Sequence, residues 1–550
     1  MSPASSLAVL LQCIAYLSSV RIAAMADANV PGWHVLHPQT ASSGGTRTQP
    51  SIRYGHACNT YKGHLVSTHG YFYDRERNNA TWLSDTWAMD LTRPGRPWSR
   101  VAHHTPHALA FSHYSAGRQP PTPCGRFGHA AVVIGDALYM YGGHDGGYSR
   151  TNRQDYQPGH DFDELWRLDL TTGDWTRLPS TGPDGAGPGK RYLLAAAEVA
   201  GRMVLYGGLV DGQGDVWSYT PATGPTGGLS SGGVWEKLAD EVPAAAGGPG
   251  RRVGHTLTGW VAGGVAGVVL YGGRSTAPPE PGGTIKNQVY DDAWFFDLGS
   301  RSWRQLQARG VAAPAVAGVA AAAAAASASA VADATPPGRL YHAAMVTVLP
   351  AGSAATTDSS GSSSSSSGSS SGGSSSGGLV RVGLVAAGTL TSPGLTCAAD
   401  AWAFVLDCAA SAITWARLPD LPAPLYDTRG AAWRAAAYLQ GGHLCALEQP
   451  GRAQPYPFWY VNEVLQLDLT RQPAITQLLL QAASGTEAAG GGGAAAAAAG
   501  ADAGAGAGAG GGGLAGCRLL PDEAAAARAE QAAVAGALAA AAAATGSDEL

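Results

Sequence analysis

Apolar residues in this chain fall in short runs, and the polar residues between them keep a fixed order. The stretch GRFGHAAVVIGDALYMYGG, residues 125–143, shows the unit: an Arg, a His three residues on, an apolar run, a Gly-Asp turn, a second apolar run and a Gly pair. Runs of this length, rich in β-branched and aromatic residues and bounded by Gly, Pro and Asp, predict β-strands. The order returns in GRRVGHTLTGWVAGGVAGVVLYGG, residues 250–273. Four starts keep both polar residues: Arg53 with His56, Arg126 with His129, Arg252 with His255, and Arg339 with His342. Lys190-Arg191-Tyr192 and Thr428-Arg429-Gly430 keep the Arg, with Leu194 and Ala432 in the His place.

The second run closes on Gly142-Gly143, Gly207-Gly208, Gly272-Gly273 and Gly441-Gly442, and on His69-Gly70 and Ala387-Gly388 in the first and fifth copies. A third run opens at Asp85, Asp163, Asp215, Asp292, Asp400 and Asn462. A fourth begins with Trp98, Trp175, Trp235, Trp303 and Trp415. Four short strands cannot bury both faces of their sheet alone, so copies must stack on one another.

Over about residues 31–470 this pattern resembles the kelch repeat. The resemblance implies an all-β fold, a β-propeller of four-stranded blades around a central axis. The Arg starts lie further apart than the ~50 residues of a kelch copy, so each copy carries insertions. The sixth copy has no Trp strand of its own, whereas Trp33-His34-Val35-Leu36 has that form and precedes the first Arg. The expectation is six blades, the last completed by residues 33–36 beside Leu465–Leu469, since an unpaired edge invites aggregation. On this reading the Gly pairs permit close backbone approach. The Arg and His residues are scaffold, tying blade to blade through hydrogen bonds.

Ala, Gly and Ser tracts at 311–334, 351–378 and 482–516 have little to bury, and the last two are expected to be disordered. Residues 521–544 predict an Ala-rich helix with Pro521 near its start. The organisation expected is a leader at 1–26, the propeller at 31–470 and a low-complexity tail at 482–550. A net charge of -5 without a run of like charge argues against a nucleic-acid binder. No run reads as a membrane span, because the Ala-rich stretch from Val311 holds Pro314 and several Ser.

Ser6–Leu17 has the length and apolarity of a signal-peptide core, and Ala24-Met25-Ala26 suits cleavage. The final Ser547-Asp548-Glu549-Leu550 is one residue from the retrieval tails of the endoplasmic reticulum. Asn79-Ala80-Thr81 is a glycosylation sequon. These features make the lumen of the endoplasmic reticulum, or secretion, the expected location, with the cytoplasm as the alternative. Cys397 and Cys445 follow the second strand of neighbouring copies and are expected to approach one another.

Blade topology places the second-to-third connections and the blade links on one face, and these are long and varied. Tyr71, His144, Arg274 and His443 directly follow the Gly pairs or their equivalents, so they should ring that face near the channel. Tyr148, Tyr156, Tyr456, Phe458 and Trp459 add aromatic area of the kind interfaces favour. The plainer reading packs these loop side chains on one another. His103, His104 and His107 could wrap a zinc or copper ion, but no Cys or carboxylate accompanies them, and a solvated loop is the plainer reading. No nucleophile elbow, phosphate loop or paired-carboxylate signature stands out, and no cofactor is expected. The function expected is a non-catalytic module that binds a protein or a glycan. The alternatives are a copper oxidase like galactose oxidase, which also carries kelch-like blades, and a cytosolic kelch scaffold.

Overall fold

The computed structural model describes residues 32–37, 48–74, 79–105, 120–146, 159–210, 214–223, 229–275, 288–311, 335–351, 379–390, 396–407, 411–445, 458–460, 463–484 and 524–525. The tracts 352–378 and 485–516, and the expected helix at 521–544 apart from residues 524–525, lie outside them.

Strands dominate, in four-stranded antiparallel units. Unit one holds Ala57–Tyr61, His64–Asp74, Asn79–Asp90 and Trp98–Ala102; unit two Ala130–Ile134, Ala137–Tyr141, Leu165–Asp169 and Trp175–Leu178. Unit three holds Ala195–Val199, Arg202–Tyr206, Val216–Thr223 and Leu229–Ala239; unit four Thr256–Ala262, Val265–Tyr271, Ala293–Asp297 and Ser302–Gly310. Unit five holds Ala343–Pro350, Leu379–Ala386, Ala401–Asp407 and Ala412–Leu418. Unit six combines Arg429–Trp433, Ala436–Gln440 and Val464–Asp468 with the distant Trp33–His37. The first strands are neighbours in sequence order, and that of unit six returns to that of unit one. The units therefore close a propeller around a channel.

One backbone hydrogen bond repeats at every junction. The second residue of each small pair donates to the next unit: Gly70 to Arg126 O, Gly143 to Arg191 O, Gly208 to Arg252 O, Gly273 to Arg339 O, Gly388 to Leu425 O and Gly442 to Arg53 O, all at 2.7–3.1 Å. These six glycines have φ between 89° and 107°, and a Cβ at Gly208 would stand 3.0 Å from Tyr192 O. That is the physical reason for the invariant half of the pair within this chain.

The junctions also correct the sixth copy. The bond from Gly388 lands on Leu425, and Tyr426 pairs with His443 as Tyr54 pairs with Tyr71. Leu425-Tyr426-Asp427-Thr428 thus occupies the place of Arg53-Tyr54-Gly55-His56, and Arg429 instead opens the inner strand. Asp427 adopts φ 53° where Gly55 has 58°, a left-handed position that Asp tolerates better than most side chains. Two acid assignments shift as well. Arg126 pairs with Glu164, not Asp163, and the corresponding place in unit six is Glu463, whose carbonyl accepts Gly441 N–H, rather than Asn462.

The Arg side chains tie strands within their own unit rather than blade to blade. Arg126 Nη2 and Trp166 Nε1 both donate to Glu164 Oε2 at 2.9 Å, while Arg126 Nη1 reaches Gly142 O at 3.1 Å. The same set recurs with Arg53, Asp85 and Trp87; Arg191, Asp215 and Trp217; Arg252, Asp292 and Trp294; and Arg339, Asp400 and Trp402. Burial alone would raise the Asp85, Glu164 and Asp400 carboxyls. The Arg and indole donors outweigh it and hold all three below the ordinary range.

Trp33 pairs with Leu467, His34 with Gln466 and Val35 with Leu465, so the amino-terminal strand forms the outer edge of unit six. Its indole Nε1 donates to Pro419 O of unit five at 3.0 Å. Trp235 makes the corresponding bond to Pro179 O at 3.1 Å, so Trp33 acts as an outer-strand Trp. The remaining kelch-pattern Trp residues, Trp98, Trp175, Trp303 and Trp415, also lie in outer strands.

Two features exceed the sequence pattern. The outer strand of unit four runs on and pairs in parallel with that of unit five, from Gln307 with Ala412 to Gly310 with Trp415. The expected domain boundary at residue 470 also falls short. Helix α1, Pro473–Ser484, packs on the third and fourth strands of unit five and buries Ile475, Leu478, Leu479 and Ala482. Residues 482–484, expected to begin a disordered tract, are helical. Among the described residues no helix is long and apolar enough to cross a membrane.

Candidate functional site: the channel and its mouth

The channel encloses a cavity of about 380 Å³ lined by first strands and by His56, His129, His255 and His342. Each His ring lies against a neighbouring unit. A Cβ on Gly272 would come within 3.0 Å of His342 Cε1, and one on Gly441 within 3.0 Å of His56 Cε1. His255 Nε2 meets Tyr206 O at 3.2 Å, and His342 Nε2 meets Thr256 Oγ1 at 2.8 Å. His255 and His342 thus make the inter-unit hydrogen bonds expected of both motif residues, whereas His56 and His129 are buried against the neighbouring unit with no hydrogen bond from either ring nitrogen. Burial, then adjacent Arg charge, pushes His129 and His255 down to about 3 and His56 and His342 well below their ordinary value.

The consequence for pH follows directly. A base whose folded pKa is depressed favours the unfolded state as soon as pH falls through the unfolded value near ~6.5, and continues to do so down to the folded value. Each such His steepens the loss by up to ~1.4 kcal/mol per pH unit. The paired carboxylates contribute only as pH falls below about 4–5, so the window from pH 6.5 to 5 belongs to the histidines. Leu194 already occupies this place in unit three. His129→Leu is therefore expected to fold and to lessen the fall in melting temperature between pH 7 and 5. An unchanged slope in that variant would contradict the assignment.

Around one mouth of the channel runs a belt of rings. Tyr71, His144, Arg274 and His443 pair across the backbone with Tyr54, Phe127, Val253 and Tyr426, the residues that follow the Arg place. His443 stacks on Tyr426 at 4.4 Å and lies 3.9 Å from Tyr54 between centroids. Tyr54 meets Tyr71 edge-on at 5.0 Å, Tyr71 meets Phe127 at 5.8 Å, and His144 stacks on Tyr192 at 5.0 Å. Arg274 and Tyr341 interact further round. Most of these rings are half-buried against one another, while Asp427 is buried beside Arg429, Nη2 to Oδ1 at 2.7 Å. Burial raises the Asp427 carboxyl against the pull of Arg429.

The remaining sequence candidates fall as follows. Tyr148, Tyr156, Tyr456 and His107 lie outside the described residues. Phe458 and Trp459 belong to the short strand Phe458–Tyr460, paired with His443–Cys445. His103 and His104 diverge: His103 Nδ1 faces Arg100 Nη1 at 3.4 Å, and His104 Nδ1 accepts Ser84 N–H at 3.3 Å. Among the described residues no three His, Cys, Asp or Glu side chains are grouped to hold a metal. Asn79 starts the third strand of unit one opposite Asp74, at the second-to-third turn. Sequence reasoning missed Tyr54, Phe127, Tyr192 and Tyr426, although an aromatic directly after the Arg in three copies was a legible signal. It also missed two His–carboxylate pairs at 2.8 Å, His144 with Asp161 and His160 with Asp145, at the base of the second connection in unit two.

Residues 112–327 match the family described as the KLHDC2/KLHL20/DRC7 Kelch-repeats domain. The repeated Arg–acid–Trp set and the ring of junction bonds are the structural counterpart of that match. The chain carries kelch repeats. It is similar to an F-box/kelch-repeat protein of Arabidopsis thaliana, with 29% identity over 45% of this chain and 43% of that one. It is likewise similar to Kelch domain-containing protein 10 of Xenopus tropicalis, with 29% identity over 21% of this chain and 26% of that one. This kelch chain thus spans less than half the length of either relative. Kelch domains are protein-binding modules and are generally non-catalytic. Burial pushes the free thiols of Cys58 and Cys124 up to about 12, far from a reactive thiolate.

Proposed function

We propose that this kelch propeller binds a protein through the belt at the channel mouth, without catalysis, in the secretory pathway. The observation that carries the reading is the belt itself. Aromatic area from units six, one, two and three is held together by edge-on, tilted and stacked ring contacts, and Arg274 and two oriented histidines stand beside it. Rigid aromatic and Arg side chains supply contact area at low entropic cost, which is what binding hot spots use. The second-to-third connections begin and end at the same face. Secretory residence draws support from the disulfide at Cys397, which an oxidising compartment preserves, and from the apolar segment Ser6–Leu17.

Proximity labelling from the native compartment should recover a partner with the unaltered chain. It should lose that partner in a Tyr192→Ser, Arg274→Glu double variant whose melting temperature is unchanged. An Asp136→Lys variant, on a short first-to-second turn, should retain it. Equal recovery in all three would remove the mouth from consideration, and recovery of a glycan in place of a protein would reassign the ligand class. In the same cells the chain should lose mass on enzymatic removal of N-glycans, and lose that response with Asn79→Gln. A chain without glycan and beginning at Met1 would place it in the cytoplasm.

A further inference from the structure

Cys397 is disulfide-bonded, whereas Cys58 and Cys124 are free. The backbone narrows its partner. Cys397 sits beside Thr389 at the mouth-side end of unit five. The next residue, Ala398, accepts Leu425 N–H at 3.2 Å, and Gly388 donates to Leu425 O at 2.8 Å. Leu425 in turn pairs with Leu444, the residue before Cys445. The two cysteines are therefore each one residue away from positions that touch Leu425, at the same end of adjacent units.

One alternative stands elsewhere. Cys408 follows the strand Ala401–Asp407. At about 3.3 Å per residue that strand carries the chain roughly 20 Å towards the opposite face, and a disulfide needs Cα atoms within about 7 Å. Cys517 precedes Ala524, which is buried in the cluster holding Leu379, Leu406 and Ile413. That cluster also holds Val385 and Trp402 of the mouth-side end, so the peptide map separates Cys517 from Cys445.

We propose that Cys397 is bonded to Cys445, so that one covalent bond clasps the mouth-side connections of units five and six. The bond forms by exchange. The two thiols give up two protons and two electrons, and an external disulfide of the compartment, glutathione disulfide or a protein disulfide, takes them and becomes two thiols. In the oxidised chain Cys445, two residues from His443 of the ring belt, is tied to unit five. In the reduced chain the strand His443–Cys445 keeps only its backbone pairing with Leu425–Tyr426 and Phe458–Tyr460. The mouth of the propeller is thereby redox-dependent.

The test is thiol-blocked, non-reducing peptide mapping of the full-length chain isolated from the compartment in which it resides. It needs no partner, so it holds or fails separately from the binding reading. The expected result is a Cys397 peptide linked to a Cys445 peptide, separated by reduction. A link from Cys397 to Cys408, Cys517 or Cys13, or a free Cys397 thiol, overturns the proposal. Cys445→Ser should expose the Cys397 thiol to alkylation and Cys408→Ser should not. The reverse pattern overturns it as well. If either variant fails to fold, the map of the unaltered chain decides alone.

Discussion

Replacing Arg339 with leucine is expected to lower the stability of the propeller by about 3–5 kcal/mol, the usual result of breaking a buried ion pair from one side. Arg339 is fully buried and donates from both terminal nitrogens to Asp400, at 2.9 and 2.8 Å. Its Nη1 also reaches Ala387 O at 3.1 Å, and its Nε reaches Pro337 O at 3.1 Å. Leucine leaves all three acceptors without their donor, and Trp402 Nε1 then remains as a neutral partner for the carboxylate. The carboxylate itself is the costly remnant. Arg339→Leu combined with Asp400→Asn is therefore expected to recover part of the loss, because no charge is then left unpaired in the interior. Equilibrium unfolding in urea reads both variants. If the double variant loses as much as the sum of the single ones, the pair is not coupled and the cost is one of packing.

Unit six shows why such pairs could be read from the sequence in five copies and not in the sixth. The Arg, the acid and the Trp two residues after it recur at fixed places because each buried guanidinium needs a fixed acceptor, and a charge inside a sheet is hard to mistake. Where Leu425 replaces the Arg, that marker is gone, and Arg429 four residues on takes its place to the eye. Only the junction bond from Gly388 to Leu425 restores the register. The mouth divides similarly. Tyr71, His144, Arg274 and His443 were legible because each follows a small pair that the local pattern marks. Their partners Tyr54, Phe127, Val253 and Tyr426 gain meaning through pairing of the chain segment before the first strand with the one after the second.

Helix α1 was legible in principle. Ile475, Leu478, Leu479 and Ala482 keep the i, i+3, i+4, i+7 spacing of a buried helix face, and all four are buried. The Gly/Ala tract that follows masks that signal when composition is weighed over a wide window. By contrast, the parallel pairing of residues 307–310 with 412–415 joins two outer strands about a hundred residues apart, and neither run carries a local sign of a partner.

A chain shortened to begin at Pro38 is expected to lose the cooperative fold, whereas one beginning at Gly32 is expected to keep it. The strand Trp33–His37 is the whole outer edge of unit six, and without it Val464–Asp468 presents its unpaired backbone groups to solvent. Trp33 is 6% exposed and shares a cluster with Leu418, Leu421 and Leu467, so the deletion also uncovers the seam between units five and six. Trp33→Ala separates the two contributions. It keeps the backbone pairing but forfeits the indole bond to Pro419 and the buried ring, a change that costs about 3–5 kcal/mol in a packed core. The variant should therefore melt early yet remain soluble, while the shortened chain, with an open edge available for pairing with another copy, should aggregate. Addition of a peptide with the sequence of residues 32–37 should restore solubility to the shortened chain at high peptide concentration. A shortened chain that stays monomeric and melts like the full one would show that ring closure does not depend on this strand, and that the bonds from Gly442 to Arg53 and from Arg96 Nη1 to Gln466 hold units six and one together unaided.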